Sequence, residues 1–281
     1  MDNSCSVVSE SVLRDIVLLK QDMNSKHAVR SLLREALPVP STQFGGFSQQ
    51  SLDLMHTFLK ENPIYFRRHD TFLAGNHATI YEGDSTNFLL DSKRHDASYQ
   101  PFYSTWMISA AMLARTALEL GFGQIVDIGS GDGRLAFAGT LLGIESYGVE
   151  IDPGLAELQR TIMAKTGVRF QCFNDDATVF DYSKSKMTTP MFFISALPES
   201  GEMLADAIIP RVKEEMRNTK AGVCFMGASS IRALARDHSM WGWGAMLTKH
   251  GLAWLKTINL PTQWTLDQPT GTPYVFTMTA P

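Results

Sequence analysis

The stretch VDIGSGDGR, residues 126–134, packs three glycines and two aspartates into nine residues directly behind an apolar run, QIVDI at 124–128. Glycines at 129, 131 and 133 remove Cβ atoms and permit positive φ, at an entropic cost that a simple connecting turn does not require. The apolar run reads as a short buried strand and the segment from about Arg134 to Leu142 as a helix. In a parallel sheet, the loop beyond the carboxyl end of a strand is where backbone approaches a ligand. A tight strand-to-helix turn without a ligand is the plainer alternative.

The pattern repeats outward from this turn. Upstream, TWMISAAMLARTALEL (105–120) is a helix ended by Gly121 and Gly123. Downstream come SYGVEI (146–151) as a strand, GLAELQRTIMAKT (154–166) as a helix and VRFQCF (168–173) as a strand. MFFIS (191–195), a helix through GEMLADAIIPRVKEEMRN, and AGVCFMG (221–227) extend the alternation. AWLKTINL and PYVFTMTA near the end have no helical pattern between them and read as an antiparallel pair closing the sheet. Alternating strands and helices predict an α/β, doubly wound, mostly parallel seven-stranded sheet with an antiparallel last strand.

The N-terminal part has a different texture and predicts a helical and hairpin appendage over residues 1–97, ahead of a ligand-binding domain over 98–281. Val12, Ile16, Leu19, Val29, Leu32 and Leu33 predict a helix through 9–37, stopped by Pro38 and Pro40. Ser51–Lys60 reads as a second helix, and 71–90, with its Gly-Asn and Gly-Asp breaks, as a hairpin or meander.

Composition narrows the partners. With 281 residues, 44% of them hydrophobic, the chain can bury a large core. A net charge of -4 leaves no global footprint for nucleic acid or an anionic membrane; YFRRHD with SKRH is the one local basic cluster. Cys5, Cys172 and Cys224 are too few and too far apart for a disulfide framework or a metal knuckle, which favours a reducing, cytoplasmic setting. His238 and His250 lack a third ligand, so no metal is expected. No run approaches 18 apolar residues, and the first residues lack a signal-peptide pattern.

The loop ends suggest what kind of ligand enters. A dinucleotide fingerprint would need glycine at 134, where Arg134 stands, and a buried Asp127 would repel a pyrophosphate. Asp127 suits a cationic ligand or its bridging water. Glu150 ends the second strand, 21 positions after Gly129, where an acid can accept from both hydroxyls of a ribose. Asp175 and Asp176 follow the third strand, where a carboxylate can accept from an adenine amino group. Each acid could equally be an ordinary loop carboxylate; together they describe a nucleoside whose charged end is not a phosphate chain.

Residues 127–133, Glu150 and Asp175-Asp176-Ala177, in that order and spacing, resemble the class I S-adenosylmethionine-dependent methyltransferases over about residues 98–281. The resemblance implies S-adenosyl-L-methionine as cofactor and S-adenosyl-L-homocysteine as product. It implies that Asp127, Gly129, Ser130, Gly131 and Gly133 hold the methionine part and that Glu150 and Ile151 hold the ribose. Asp175, Asp176 and Ala177 would contact the adenine, with Ser195 and Leu197 after the fourth strand completing the set. SYQPFYSTWMISAAML ahead of the glycine strand is similar to class I protein lysine methyltransferases, including the disruptor-of-silencing type and small archaeal and mitochondrial ones. That likeness implies Tyr99 and Phe102 over the methionine moiety and Tyr103 at the acceptor; these aromatics also read as core contacts.

The fourth-strand loop, SALPES (195–200), lacks the Asn or Asp, Pro-Pro and aromatic set of enzymes acting on base amines, and the lysine family's usual residues are not recognisable there. Glu199 is its one charge, placed either to position a substrate amine or to cap the next helix. An aromatic channel from Tyr99, Phe102, Tyr103 and Trp106 would disfavour a charged lysine and so lower its pKa. The acceptor read here is therefore a protein lysine. A small-molecule methyltransferase with the N-terminal helices as a lid, and a catalytically silent scaffold subunit, are the alternatives.

Overall fold

The computed structural model describes residues 8–27, 33–42, 44–84, 104–184, 187–194, 198–226, 243–262 and 271–279. The first part runs α1 (Glu10–Lys26), β1 (Leu33–Pro38), α2 (Gln49–Glu61), β2 (Tyr65–Leu73) and β3 (Asn76–Gly83). The second part begins α3 (Met107–Glu119), β4 (Gln124–Ile128), α4 (Arg134–Leu141), β5 (Glu145–Glu150), α5 (Pro153–Thr166), β6 (Gln171–Asn174) and β7 (Pro190–Ile194). It ends with α6 (Pro198–Glu215), β8 (Gly222–Met226), α7 (Trp243–His250), β9 (Leu252–Leu260) and β10 (Thr272–Thr279). No helix among the described residues is long and apolar enough to cross a membrane.

The large sheet has the order β6-β5-β4-β7-β8-β10-β9. β4 pairs in parallel with β5 and β7, and β10 runs antiparallel to both β8 and β9. Only the last strand opposes the rest, as the alternation predicted. β4 lies where the strand order reverses, so the loop that follows it opens at the switch point of the sheet.

Strand alternation distributes the two cores. Ile125, Met191, Phe193 and Cys224 face α3, α4, α5 and the N-terminal elements, whereas Val126, Phe192, Ile194, Val223 and Phe225 face α6 and α7. Asp127 has the parity of Ile125 and so turns toward the first face. That core is continuous from Ile16 and Leu19 on α1 to Phe276 on β10. Phe58 of α2 meets Phe137 of α4 edge-on at 4.8 Å between ring centroids, a contact worth about 0.5–1.5 kcal/mol beyond burial.

The helix predicted over 9–37 ends at Lys26, capped by His27, and residues 33–38 form an edge strand paired antiparallel with β3. Leu-Arg-Glu-Ala is good helical sequence, and local propensity yields here to tertiary pairing. Arg34 and Glu35 are 1% and 0% exposed, a burial that charged residues tolerate only with partners. The three-stranded sheet has the order β1-β3-β2, and its hairpin turns at Ala74-Gly75, one residue before the predicted Gly-Asn. The boundary expected at 97 falls outside the described residues.

Candidate functional site

β4 delivers the chain into a turn built on three left-handed glycines: Gly129, Gly131 and Gly133 have φ of +67°, +57° and +80°. Gly133 is the N-cap of α4. A Cβ on Gly133 would lie 2.6 Å from Phe170 Cζ, so close packing requires glycine there. A Cβ on Gly129 would meet no described residue within 4 Å. Gly133 is thus glycine for the fold, while Gly129 has no such contact among the described residues.

The loop is held from three sides. The Gly131 N–H donates to Glu150 Oε2 at 2.7 Å, and the Asp152 N–H to Glu150 Oε1 at 2.9 Å. Gln159, fully buried on α5, donates from Nε2 to Ser130 Oγ and to the Gly131 carbonyl, each at 2.8 Å. The third anchor is a buried ion network. Arg134 Nη2 donates to Asp132 Oδ2 at 2.6 Å and Arg134 Nη1 to Glu35 Oε1 at 2.9 Å. Arg134 also donates to the Thr105 carbonyl, Tyr65 donates its hydroxyl to Glu35, and the Met107 N–H meets Glu35 Oε2 at 2.5 Å. Asn62 Nδ2 completes the network by donating to Asp132 Oδ2 at 2.8 Å. Burial works against the guanidinium charge, but Asp132, Tyr65 and Glu35 overcome it and raise the pKa of Arg134.

Asp127 is 5% exposed and accepts no hydrogen bond from any described residue. Burial, with Glu150 and Asp132 nearby, pushes its carboxyl well above the ordinary range. Burial also pushes Glu150 up to about 7, against the pull of its backbone donors. A cavity of about 40 Å³ lies against Asp127, Gly129, Ser130, Ser104 and Thr105.

The neighbouring loops close around this centre. The Asp175 N–H donates to the Glu150 carbonyl at 3.0 Å, and Asn174 Nδ2 to the carbonyls of Glu150 and Ile151 at 2.9 and 3.2 Å. Asp176 Oδ1 accepts from the N–H and hydroxyl of Thr178 at 2.9 and 2.7 Å, which fixes the turn carrying the buried Ala177. Of the residues singled out in the sequence, Asp127, Gly129, Ser130, Gly131, Gly133 and Glu150 form one cluster, and Ile151, Asp175, Asp176 and Ala177 border it. Tyr99, Phe102, Tyr103, Ser195 and Leu197 lie outside the described residues, as does the side chain of Glu199 on α6. Trp106, expected to line an acceptor channel, is instead 1% exposed, with its indole in the core. His250 bonds Asp206 at 2.7 Å.

Sequence reasoning missed Gln159, Asp132, Arg134 and Glu35 as parts of the site. Gln159 had a signal: it is an amide on the same helical stripe as Leu155 and Ile162. Glu35 had none, because its segment reads as helix.

The residues present fit a cofactor with a cationic end: a buried acid with no hydrogen-bond partner among the described residues stands beside a glycine cradle. No family model matches the chain, and no curated protein matches it. Among solved structures, a Pyrococcus horikoshii protein assigned as an RNA methyltransferase is similar at 17% identity, over 68% of this chain and 90% of that one, with a TM-score of 0.45. The ribosomal protein L11 methylase of Lactobacillus delbrueckii subsp. bulgaricus is 14% identical over 61% and 77%, with a TM-score of 0.42. Magnesium protoporphyrin IX methyltransferase from Synechocystis PCC 6803, with bound S-adenosylmethionine, is 11% identical over 62% and 79%, with a TM-score of 0.43. The strand order with β10 alone reversed, and the glycine loop at its switch point, give this chain a doubly wound, Rossmann-like α/β fold.

Proposed function

We propose that the chain is an S-adenosylmethionine-dependent methyltransferase whose acceptor is a protein lysine. The observation that carries the cofactor reading is Asp127, a buried carboxyl without a hydrogen-bond partner among the described residues, beside Gly129. A cationic group entering there would supply the missing partner and hold the acid ionised. Gly131 and Ser130 would support the same end of the cofactor, Glu150 the ribose, and Asp175, Asp176 and Ala177 the base. The cofactor, when bound, supplies an electrophilic methyl carbon.

The chain's own residues then have to align a nucleophile and exclude water. A lysine with an ordinary pKa of about 10.4 must lose its proton first. The segment carrying Tyr99, Phe102 and Tyr103 leads directly into Ser104 and Thr105, which line the cavity beside Asp127. That continuity supports an aromatic approach to the methyl group, with Glu199 in the first turn of α6 as a second group near the amine. The lid alternative is disfavoured by the Arg134–Glu35 bond, which ties the N-terminal sheet to the glycine loop through buried charges.

Calorimetric titration with S-adenosylmethionine tests the first half, and absence of binding would overturn it. Isotope-labelled cofactor incubated with the protein and fractionated lysate tests the second. Label entering protein, and surviving as methyl-lysine on hydrolysis, is the expected result; label in nucleic acid or metabolites would replace the acceptor class.

A further inference from the structure

Away from the glycine loop, a larger cavity of about 330 Å³ opens between α2 and the face of the three-stranded sheet formed by β2 and β3. On its floor His56 and Tyr81 are bonded to each other, and His69, whose Nδ1 is buried without a hydrogen-bond partner among the described residues, lines it beside them. His56 Nε2 lies 2.9 Å from the Pro38 carbonyl, which can only accept, so the ring proton sits there and Nδ1 accepts from the Tyr81 hydroxyl at 2.7 Å. Burial holds His56 below its usual pKa and keeps it uncharged.

Four charged side chains surround this floor: Asp53 and Lys60 from α2, and Arg68 and Asp70 from β2. Among the described residues, Asp53, Lys60 and Arg68 form no ion pair and their side chains no hydrogen bond, while Asp70 accepts from Thr79 Oγ1 at 2.7 Å. Their placement is ordered. α2 ends at Glu61 and β2 begins at Tyr65, so the strand returns along the helix. Such a return would set Lys60, at the end of α2, toward Arg68, which pairs across the strands with Tyr81, and Asp53 toward Asp70, which pairs with Thr79. Seven helical residues separate Asp53 from Lys60 by about 10 Å, and two strand residues separate Arg68 from Asp70 by about 7 Å. On that arrangement the cavity has a cationic end at Lys60 and Arg68 and an anionic end at Asp53 and Asp70, with His56 and Tyr81 between them.

We propose that this cavity binds a small zwitterion whose carboxylate and ammonium are about 7–10 Å apart, the carboxylate held by Lys60 and Arg68 and the ammonium by Asp53 and Asp70. A plain anion would satisfy one end and leave two acids facing it, and a plain cation the reverse. An α-amino acid is too short to reach both ends. An ω-amino acid or a dipeptide spans them, and its apolar spacer lies over the ring of Tyr81.

The test is calorimetric titration with 6-aminohexanoate, with hexanoate and hexylamine as single-charge controls. 6-Aminohexanoate should bind at least tenfold tighter than either control. Asp53→Asn and Lys60→Gln, both exposed and outside the glycine-loop network, should each weaken it about tenfold while leaving the melting temperature and S-adenosylmethionine affinity unchanged. Equal affinity for the three probes, no binding of 6-aminohexanoate, or indifference to both substitutions would each overturn the assignment.

Discussion

Arg134, the first residue of α4 behind the glycine loop, donates at 2.9 Å to Glu35, which lies ninety-nine residues earlier on an edge strand of the small sheet. Both side chains are almost completely buried, at 4% and 0% exposure. Removing Arg134 would leave Asp132 and Glu35 buried without their guanidinium, a loss of about 3–5 kcal/mol. Arg134→Met should therefore lower unfolding stability in urea by that order, whereas Glu35→Gln, which leaves the Arg134–Asp132 pair in place, should cost less. An Arg134→Met variant as stable as the parent would show that the network is not energetically coupled.

The two raised acids predict an unusual pH response. A cationic cofactor needs Asp127 ionised, yet burial pushes that acid well up, and holds Glu150 near 7. Affinity for S-adenosylmethionine should rise between about pH 6 and 8, with proton release visible as a buffer-dependent heat of binding. The ligand-free fold responds oppositely. Glu150 titrates near its ordinary 4.5 when unfolded and near 7 when folded. The native state thus holds the extra proton, and this group's contribution to stability falls as pH rises across that window. Flat affinity over pH 6–8 would remove Glu150 from cofactor binding.

Two alanine substitutions in one loop should behave differently. At Gly133 the new Cβ meets Phe170 at 2.6 Å and Gln159 at 2.9 Å with φ at +80°, so Gly133→Ala should mainly destabilise the fold. At Gly129 there is no such contact, so the fold should lose only the left-handed strain of about 1–2 kcal/mol. Its methyl would project into the ligand space, so S-adenosylmethionine affinity should fall at least tenfold. Thermal melts and titrations on the two variants separate the effects.

Gln159 offers a test of loop support from behind. Gln159→Leu keeps the volume but removes the donors to Ser130 and Gly131, leaving a buried carbonyl without its partner at about 1–3 kcal/mol. Amide hydrogen exchange across residues 129–133 should quicken in this variant without any cofactor present. Exchange equal to the parent's would show that α5 does not brace the loop.

The large sheet was legible because its signals are local. Each strand is a short apolar run, each helix carries its own periodicity, and positive φ at Gly129, Gly131 and Gly133 is written into residue type. The acids at 127 and 150 follow from the ends of those strands. What was not legible depends on contacts between distant segments. Arg34 and Glu35 look like solvated helical charges until β3 and the glycine loop arrive beside them. Arg134 served only to exclude a dinucleotide motif, because nothing nearby in sequence announces its acid partner on another sheet.

The alternation along β1 has one more consequence. Arg34 points to the α1 side, where it meets Glu82 at 4.0 Å and the His27 carbonyl at 3.2 Å, and Glu35 points to the opposite side, toward Arg134. Sliding β1 by a single residue would exchange the two and set guanidinium against guanidinium in the interior. These adjacent opposite charges act as a key that admits one alignment of the strand, so the sheet that looks like an accessory also checks that the loop beneath it has been assembled in frame.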